Sequence, residues 1–388
     1  MPDVSSVNAP WWEKLPEDYY RSSQFTELDT KHPAKVYSSA AMDYLLRTGL
    51  ASLVTVAMAP QLLSSTSMRR ELSLLQFYAD MADRADPAEV FAQPPRHVSI
   101  DQARSPWLSY RPKGIPSCLI RFTSPYIALN PALRTSYSQY QEGRAVVAQH
   151  WTHPGDPRPT LIFTHGYMID SYGLNSAMFS LRWFYEKGYD ILLYTLPFHG
   201  YRKGLLHPFS GFGFFANGFA HLNEAMLQSV FDLRILMNYL EDTGVKKMGI
   251  SGLSLGGYIS ALTACADSRP AFVIPNAPAV LLADMVREWA PMNRIFGNVM
   301  PRNGVSIQDQ RHYMAVHTAL TYKPMVDSRR LLVIGGSGDR FTPPRYVKLL
   351  HEHWAGSQMH WFPGNHIMHL QQGDYLRFMK KFMDECCT

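Results

Sequence analysis

From Cys118 onward the chain repeats one pattern, a short apolar run, a turn rich in Gly, Pro or Asp, and then a segment of helical length. CLIRF from Cys118, AVVAQHW from Ala145 and TLIFTHG from Thr160 come first and read as strands. YDILLYTL, KKMGISGLS, AFVIP, LLVIGG and QMHWF follow, with helical periodicity between them. Leu174, Met178, Leu181 and Trp183 or Phe184 fall on one helical face and stop at Gly188. Phe219, Leu222, Met226, Val230, Leu233, Met237 and Leu240 form a longer stripe that breaks at Thr243-Gly244. ALTACA continues as a helix after the Gly-rich turn that follows KKMGISGLS, and Tyr375 to Met383 form the closing helix. Strands alternating with helices in this way are joined by crossovers, which puts parallel neighbours in one sheet and helices on both of its faces. The expected class is α/β.

The region before that pattern is different. Up to about residue 115 it is helix-like and irregular by turns, punctuated by Pro87, Pro94, Pro95 and Pro106, and it reads as a mostly helical N-terminal extension, 1–115, ahead of a domain at 116–388. Within that domain about fifty residues between Pro275 and Leu331 pass without a strand, while carrying Trp289, Met292, Phe296, Met300 and Tyr313. That is longer than a crossover requires, so a cap inserted at about 276–330 is expected, the alternative being helices that only pad the sheet.

Composition narrows the function classes. With 46% hydrophobic and 18% charged residues in 388, the chain is globular. Its net charge of +5 is spread without a basic run, which leaves nucleic-acid binding unsupported. The four cysteines, two of them adjacent at Cys386 and Cys387, make neither a disulfide framework nor a spaced zinc pattern, so a reducing, cytoplasmic setting is expected. Asp3, Glu13, Glu17 and Asp18 precede any apolar run, the wrong order for a signal peptide. The uncharged stretch 48–68 has the length of a membrane span, but Gly49, Pro60, Gln61 and several hydroxyls dilute it. A buried or interfacial helix is expected there, with contact to a membrane surface as one use of it.

The chemistry concentrates in GISGLSLGGYIS, Gly249 to Ser260. Gly252-Leu253-Ser254-Leu255-Gly256 is a G-x-S-x-G pentapeptide with an apolar strand before it and a small-residue helix after it. A serine on so sharp a turn sits in a strained conformation, and a Cβ two residues away on either side would collide across it. The helix that follows aims N–H groups at the same point, where negative charge on a substrate oxygen is stabilised.

A serine hydroxyl needs a base, and the base needs an orienting carboxylate. His366, in Pro363-Gly364-Asn365-His366 between the last strand and the last helix, is the expected base, with His369 as competitor. Asp339, after LLVIGG, is the expected acid; a turn or surface ion pair is its alternative role, and Asp284 is the fallback. The backbone N–H groups of Leu255 and Tyr167 are the expected oxyanion donors, and His165 is expected to order its loop. His199, Tyr201, Arg202 and Lys203 follow a strand at the same edge; they suit a substrate carboxylate or phosphate, or equally a bracing of the sheet edge.

THGYM, LPFHGYR, GLSLGG, GGSGDRFTPP and GNH, in that order, resemble the α/β-hydrolase superfamily from about Cys118 to the C-terminus. The resemblance implies an eight-stranded, mostly parallel sheet with a helical cap, a Ser254, Asp339, His366 triad, no cofactor, and an ester, thioester or amide substrate attacked through an acyl-enzyme. LPFHGYR, the long N-terminal lead and the cap look like the lipase or esterase branch rather than peptidases. Asn365 departs from the glycine often found in its place, which bears on the loop and not on the histidine. The same triad would serve an acyltransferase, and a silent fold that binds a ligand is the reading from another class. The aromatics and methionines of the cap point to an apolar acyl group in a small-molecule substrate.

Overall fold

A computed structural model describes residues 9–22, 33–105, 109–369 and 372–388. Its centre is a nine-stranded sheet: β1 (Asp101–Ala103), β2 (Ser117–Thr123), β3 (Ala145–Trp151), β4 (Thr160–Thr164), β5 (Asp190–Tyr194), β6 (Met248–Leu253), β7 (Val273–Asn276), β8 (Leu332–Gly336) and β9 (Gln358–Phe362). The order is β1-β2-β3-β5-β4-β6-β7-β8-β9. Pairings from β1 to β5 through β3 are antiparallel, and those from β5 through β4 to β9 are parallel. All eight apolar runs are strands. The ninth, β1, is a three-residue edge strand from the N-terminal extension, DQA, with no apolar signal of its own.

The central strands β4, β5 and β6 are buried throughout. Their period of two splits the core: Ile162, Leu192 and Ile250 pack on one face, and Leu161, Phe163, Ile191, Leu193 and Leu253 on the other. The chain moves from β4 to β5 on one side and then returns across to β6 on the other, so the connections diverge at β4. A crevice opens where such connections part, beyond the C-terminal ends of the strands.

Helices cover both faces. Those of six residues or more are α1 (Pro33–Leu63), α2 (Ser65–Arg84), α3 (Tyr172–Met178), α4 (Leu181–Glu186), α5 (Phe219–Asp242), α6 (Leu255–Ala266), α7 (Leu282–Glu288), α8 (Met292–Arg302), α9 (Ile307–Ala315), α10 (Pro344–His353) and α11 (Gln372–Cys387). The single stripe read from Leu174 to Phe184 is two helices, because Ser180 takes a left-handed φ of 51° and breaks the hydrogen-bond ladder. The α5 helix ends as expected, with Gly244 at φ 92°. Its polar face, however, is buried as deeply as its apolar stripe. Glu224 there accepts hydrogen bonds from the Tyr126 hydroxyl (2.6 Å) and from the Leu129 and Asn130 amides (2.8 and 2.9 Å).

The insertion between β7 and β8 forms α7, α8 and α9. It does not stand alone over the sheet. Val54, Met58 and Leu62 of α1, Met68 and Leu75 of α2, and Met285, Phe296 and Met314 of the insertion belong to one buried cluster with Ile162 and Ile250 of the sheet. The extension and the cap therefore share a core with the domain they cover.

Candidate active site

Ser254 lies at the β6–α6 junction with φ 56° and ψ −112°. A non-glycine residue in that region costs about 1–3 kcal/mol and persists only where its surroundings over-determine it. Here the Ser254 N–H donates to Asn276 O (3.0 Å), and Ser254 O accepts from Tyr258 N (2.9 Å) and Ala279 N (3.2 Å). The flanking glycines meet different obstacles. A Cβ on Gly252 would lie 2.5 Å from the Gly256 carbonyl carbon, across the turn, whereas one on Gly256 would lie 2.0 Å from Thr164 O, on the neighbouring strand. Thr164 pairs in register with Gly252, so β4 and the turn are pressed together backbone to backbone.

His366, on the loop between β9 and α11, is 3% exposed. Its Nδ1 is 2.6 Å from Asp339 Oδ2, and its ring stacks on Phe341 at 4.8 Å. A carboxylate acceptor keeps the proton on Nδ1, which leaves Nε2 as the basic nitrogen. Burial pushes the His366 imidazolium toward deprotonation, but the charges of Asp339 and Asp43 outweigh it and raise the pKa. Asp339 is fully buried, and its two carboxylate oxygens face different ways. Its Oδ1 accepts from the Phe341 and Thr342 amides (2.8 Å each), closing the turn, and its Oδ2 meets His366 and the Thr342 hydroxyl (2.8 Å).

The alternatives are committed elsewhere. Asp284 is held by Arg311 through two hydrogen bonds of 2.9 and 2.8 Å, both residues fully buried. His369 packs on Phe362 at 4.2 Å, and burial followed by repulsion from His366 lowers its pKa to about 4.

Ser254 and His366 open onto one cavity of about 250 Å³, which Gly166, Tyr167 and Leu255 also line. Gly166 is close enough that an added Cβ would stand 3.5 Å from Ser254 Cβ. The Tyr167 side chain is pinned, its hydroxyl donating to Gly211 O (3.0 Å), so its backbone stays beside the serine. His165 orders this loop: Nδ1 donates to Gly166 O (2.8 Å) and Nε2 accepts from Leu196 N (3.1 Å). Among the described residues no cluster of His, Cys, Asp and Glu is arranged to hold a metal ion.

The substrate-binding expectation for His199, Tyr201 and Arg202 is corrected by their placement, since none of them lines this cavity. Arg202 is fully buried in an ion pair with Asp232 (2.7 Å), and it donates to Thr195 O, the Tyr194 hydroxyl and Gly143 O. His199 is buried under the Tyr167 ring (5.3 Å) and donates to Pro197 O (2.8 Å). Tyr201 points outward, half exposed, and hydrogen-bonds Ser109. The cluster braces the sheet edge.

The remaining walls include a helix whose stretch 48–68 was expected to be buried or interfacial but not to belong to the site. Leu46, Leu50, Val54 and Met58 of α1 line the cavity, opposite Met285, Trp289 and Met292 of the cap. The segment Ala40–Leu62 of α1 is long and apolar enough to cross a membrane by length and composition. In the fold, Val54 and Met58 turn inward while Leu45, Leu53 and Val56 are exposed.

Comparison with known proteins agrees with this architecture. Residues 192–280 match the family model described as alpha/beta hydrolase domain containing 18. The chain is 26% identical over 326 residues to uncharacterized protein Rv2627c of Mycobacterium tuberculosis strain H37Rv, covering 80% of this chain and 73% of that protein. Among solved structures, acetyl xylan esterase 1 from Thermoanaerobacterium sp. JW/SL YS485 superposes with a TM-score of 0.57 at 16% identity, over 80% of this chain and 94% of that one. Acetyl xylan esterase from Paenibacillus sp. R4 gives 0.52 at 14% identity, over 81% and 94%. With a sheet that is parallel beyond β5, a serine at the sharp β6–α6 turn and these structural neighbours, the chain has the α/β-hydrolase fold, and its residues 192–280 resemble the matched family.

Proposed function

We propose that the protein is a serine hydrolase that cleaves a carboxylic ester with an apolar acyl group. The reading is carried by one observation: Ser254, in a strained turn, shares a cavity with His366, whose Nδ1 is 2.6 Å from the buried carboxylate of Asp339. In the proposed cycle Ser254 attacks the carbonyl while His366 takes its proton, the Tyr167 and Leu255 amides hold the oxyanion, and His366 returns the proton to the departing alcohol. Water, activated by the same imidazole, then releases the acid. Asp339 holds the imidazolium that forms in each half.

The character of the cavity supports the acyl group. Among the described residues no Lys, Arg, Asp or Glu lines it, and its volume of about 250 Å³ sits just below the ordinary ligand-pocket range of roughly 300–1,000 Å³. A short to medium chain or a single ring suits that space, and an anionic group would find no counter-charge there.

A fluorophosphonate probe tests the nucleophile: labelling of the wild type that disappears in Ser254→Ala is the expected result. A folded wild type that never labels and turns over no p-nitrophenyl ester from acetate to decanoate would refute the enzyme reading. Product analysis with added alcohols or amines then separates hydrolysis from acyl transfer, hydrolysis being expected to yield the free acid alone.

A further inference from the structure

Between residues 40 and 63 the apolar helix α1 carries only two charged residues, Asp43 and Arg47, one turn apart and both buried. A carboxylate out of water must find donors or become neutral. Asp43 finds two, both main-chain: its Oδ2 accepts from His366 N (2.9 Å) and from Arg340 N (3.0 Å). These amides belong to separate loops, one carrying the base, the other adjoining the acid. Arg47 takes the opposite end of the same peptide segment, donating to Arg340 O (2.7 Å) while it pairs with Glu288 of the cap (3.1 Å). Among the described residues the ring of His366 hydrogen-bonds Asp339 and Thr342 and stacks on Phe341, all three from the acid loop. The tie to its main chain comes from α1.

We propose that Asp43 is a positioning residue for the catalytic base: by accepting both amides on one oxygen it locks the acid loop and the base loop together, so the Asp339–His366 pair is held in place from the N-terminal extension. This rests on reading Ser254, His366 and Asp339 as the triad. Asp43 would touch no substrate; it acts through His366. Its negative charge also faces the imidazole and adds to the pull that keeps the proton on it.

The groups that act on this carboxyl are Asp339 from the acid loop, His366 from the base loop and the Arg340 and His366 amides, while Arg47, one turn along α1, is paired with Glu288. Burial first, and then the charge of Asp339, push the Asp43 carboxyl up to about 6, while His366 and the two amides draw it back. Asp43 and His366 therefore titrate as a linked pair, and the acidic limb of activity belongs to the pair rather than to His366 alone.

The test uses the full chain and p-nitrophenyl butyrate, with kcat and KM followed against pH for the wild type, Asp43→Ala, Asp43→Asn and Ser254→Ala. Asp43→Ala releases both loops and should lower kcat roughly 100-fold with KM within about threefold, the size expected when a reacting group drifts by about 1 Å. Asp43→Asn keeps an acceptor without the charge; it should restore most of the plateau kcat and move the acidic limb at least about 0.5 pH unit lower, as removal of a nearby anion requires. A folded Asp43→Ala with wild-type kcat and an unmoved limb would overturn the proposal. If the alanine variant does not fold, Asp43→Asn decides alone, and an unmoved limb overturns it. Activity that survives Ser254→Ala would instead remove the triad reading. In that event the downfield Nδ1 proton of His366 in NMR still reports on Asp43, and its titration midpoint should fall in Asp43→Asn and stay put if Asp43 has no hold on the ring.

Discussion

Gly256→Ala adds one methyl group at the most crowded point of the proposed site. The new Cβ would lie 2.0 Å from Thr164 O and 2.7 Å from His165 O, both backbone atoms that no rotamer change can move aside. Contacts below 3.0 Å are not tolerated, so the N-terminus of α6 and the end of β4 must separate by at least 3.0 − 2.0, about 1 Å. Those elements each carry one expected oxyanion donor, Leu255 N on α6 and Tyr167 N on the loop leaving β4. Donors work at about 2.7–3.1 Å from the oxyanion, and a gap widened by about 1 Å lets only one of them reach it. Loss of one such donor lowers kcat about 100- to 1,000-fold, roughly 2.7–4 kcal/mol of transition-state stabilisation. KM should change far less, because the acyl cavity is built from α1 and the cap. Overpacking should cost a further 1–3 kcal/mol or so of stability, read as a lowered Tm. Stopped-flow acylation with p-nitrophenyl butyrate and thermal melts measure the two effects separately. Gly49→Ala supplies the control: nothing lies within 4 Å of its added Cβ, and at this exposed position inside α1 it should raise stability by about 0.5–1 kcal/mol with kcat unchanged. A Gly256→Ala enzyme with kcat within threefold of wild type would show that Leu255 N and Tyr167 N are not the oxyanion donors.

Three further outcomes follow from the same geometry. Arg202→Met leaves Asp232 charged and fully buried without its partner, and should destabilise the fold by about 3–5 kcal/mol in denaturant titration while the folded fraction keeps its KM, since the pair lies outside the cavity. Met58→Trp fills the α1 side of the cavity and should shift the preferred p-nitrophenyl ester to a shorter acyl chain; an unchanged chain-length profile would place the acyl group elsewhere. His369→Phe should retain activity within about threefold where His366→Ala loses it, because His369 already packs as a neutral ring against Phe362 and its imidazole takes no proton in the cycle.

How much of this was legible in the chain depended on whether the signal was local. Strands such as TLIFT and DILLY announce themselves because both faces of a parallel sheet are buried, so the run is apolar throughout. The serine turn was equally plain, as its glycines, preceding strand and following helix are contiguous. Asp339 and His366 could be placed because loops at the C-terminal sheet edge converge whatever their sequence separation. The misreading of Arg202 has the opposite origin. A cation beside His199 and Lys203 looks solvated, and the carboxylate that buries it, Asp232, is thirty residues away on α5. The polar face of α5 misleads for the same reason, since Tyr78 and Tyr126, which cover Glu224, lie in distant segments. Helix α1 was the hardest to resolve. It is apolar on every side, so no moment distinguishes Leu50 and Val54, which line the cavity, from Leu45 and Val56, which do not. Its one local clue was the pair Asp43 and Arg47, spaced to share a face.

The hydrogen bond between Asp43 and His366 spans 323 residues of sequence. A ribosome adding about 5–20 residues per second makes His366 some 16–65 s after Asp43; for most of that interval α1 lacks the cap it packs against, and for all of it the base loop it clamps. An apolar helix left waiting that long is a natural client for a chaperone. On the proposed reading it also means that the site cannot be completed early: a nascent chain that has passed Ser254 but not yet reached His366 holds the serine without the base proposed to receive its proton, and the full set assembles only when the two ends of the fold meet.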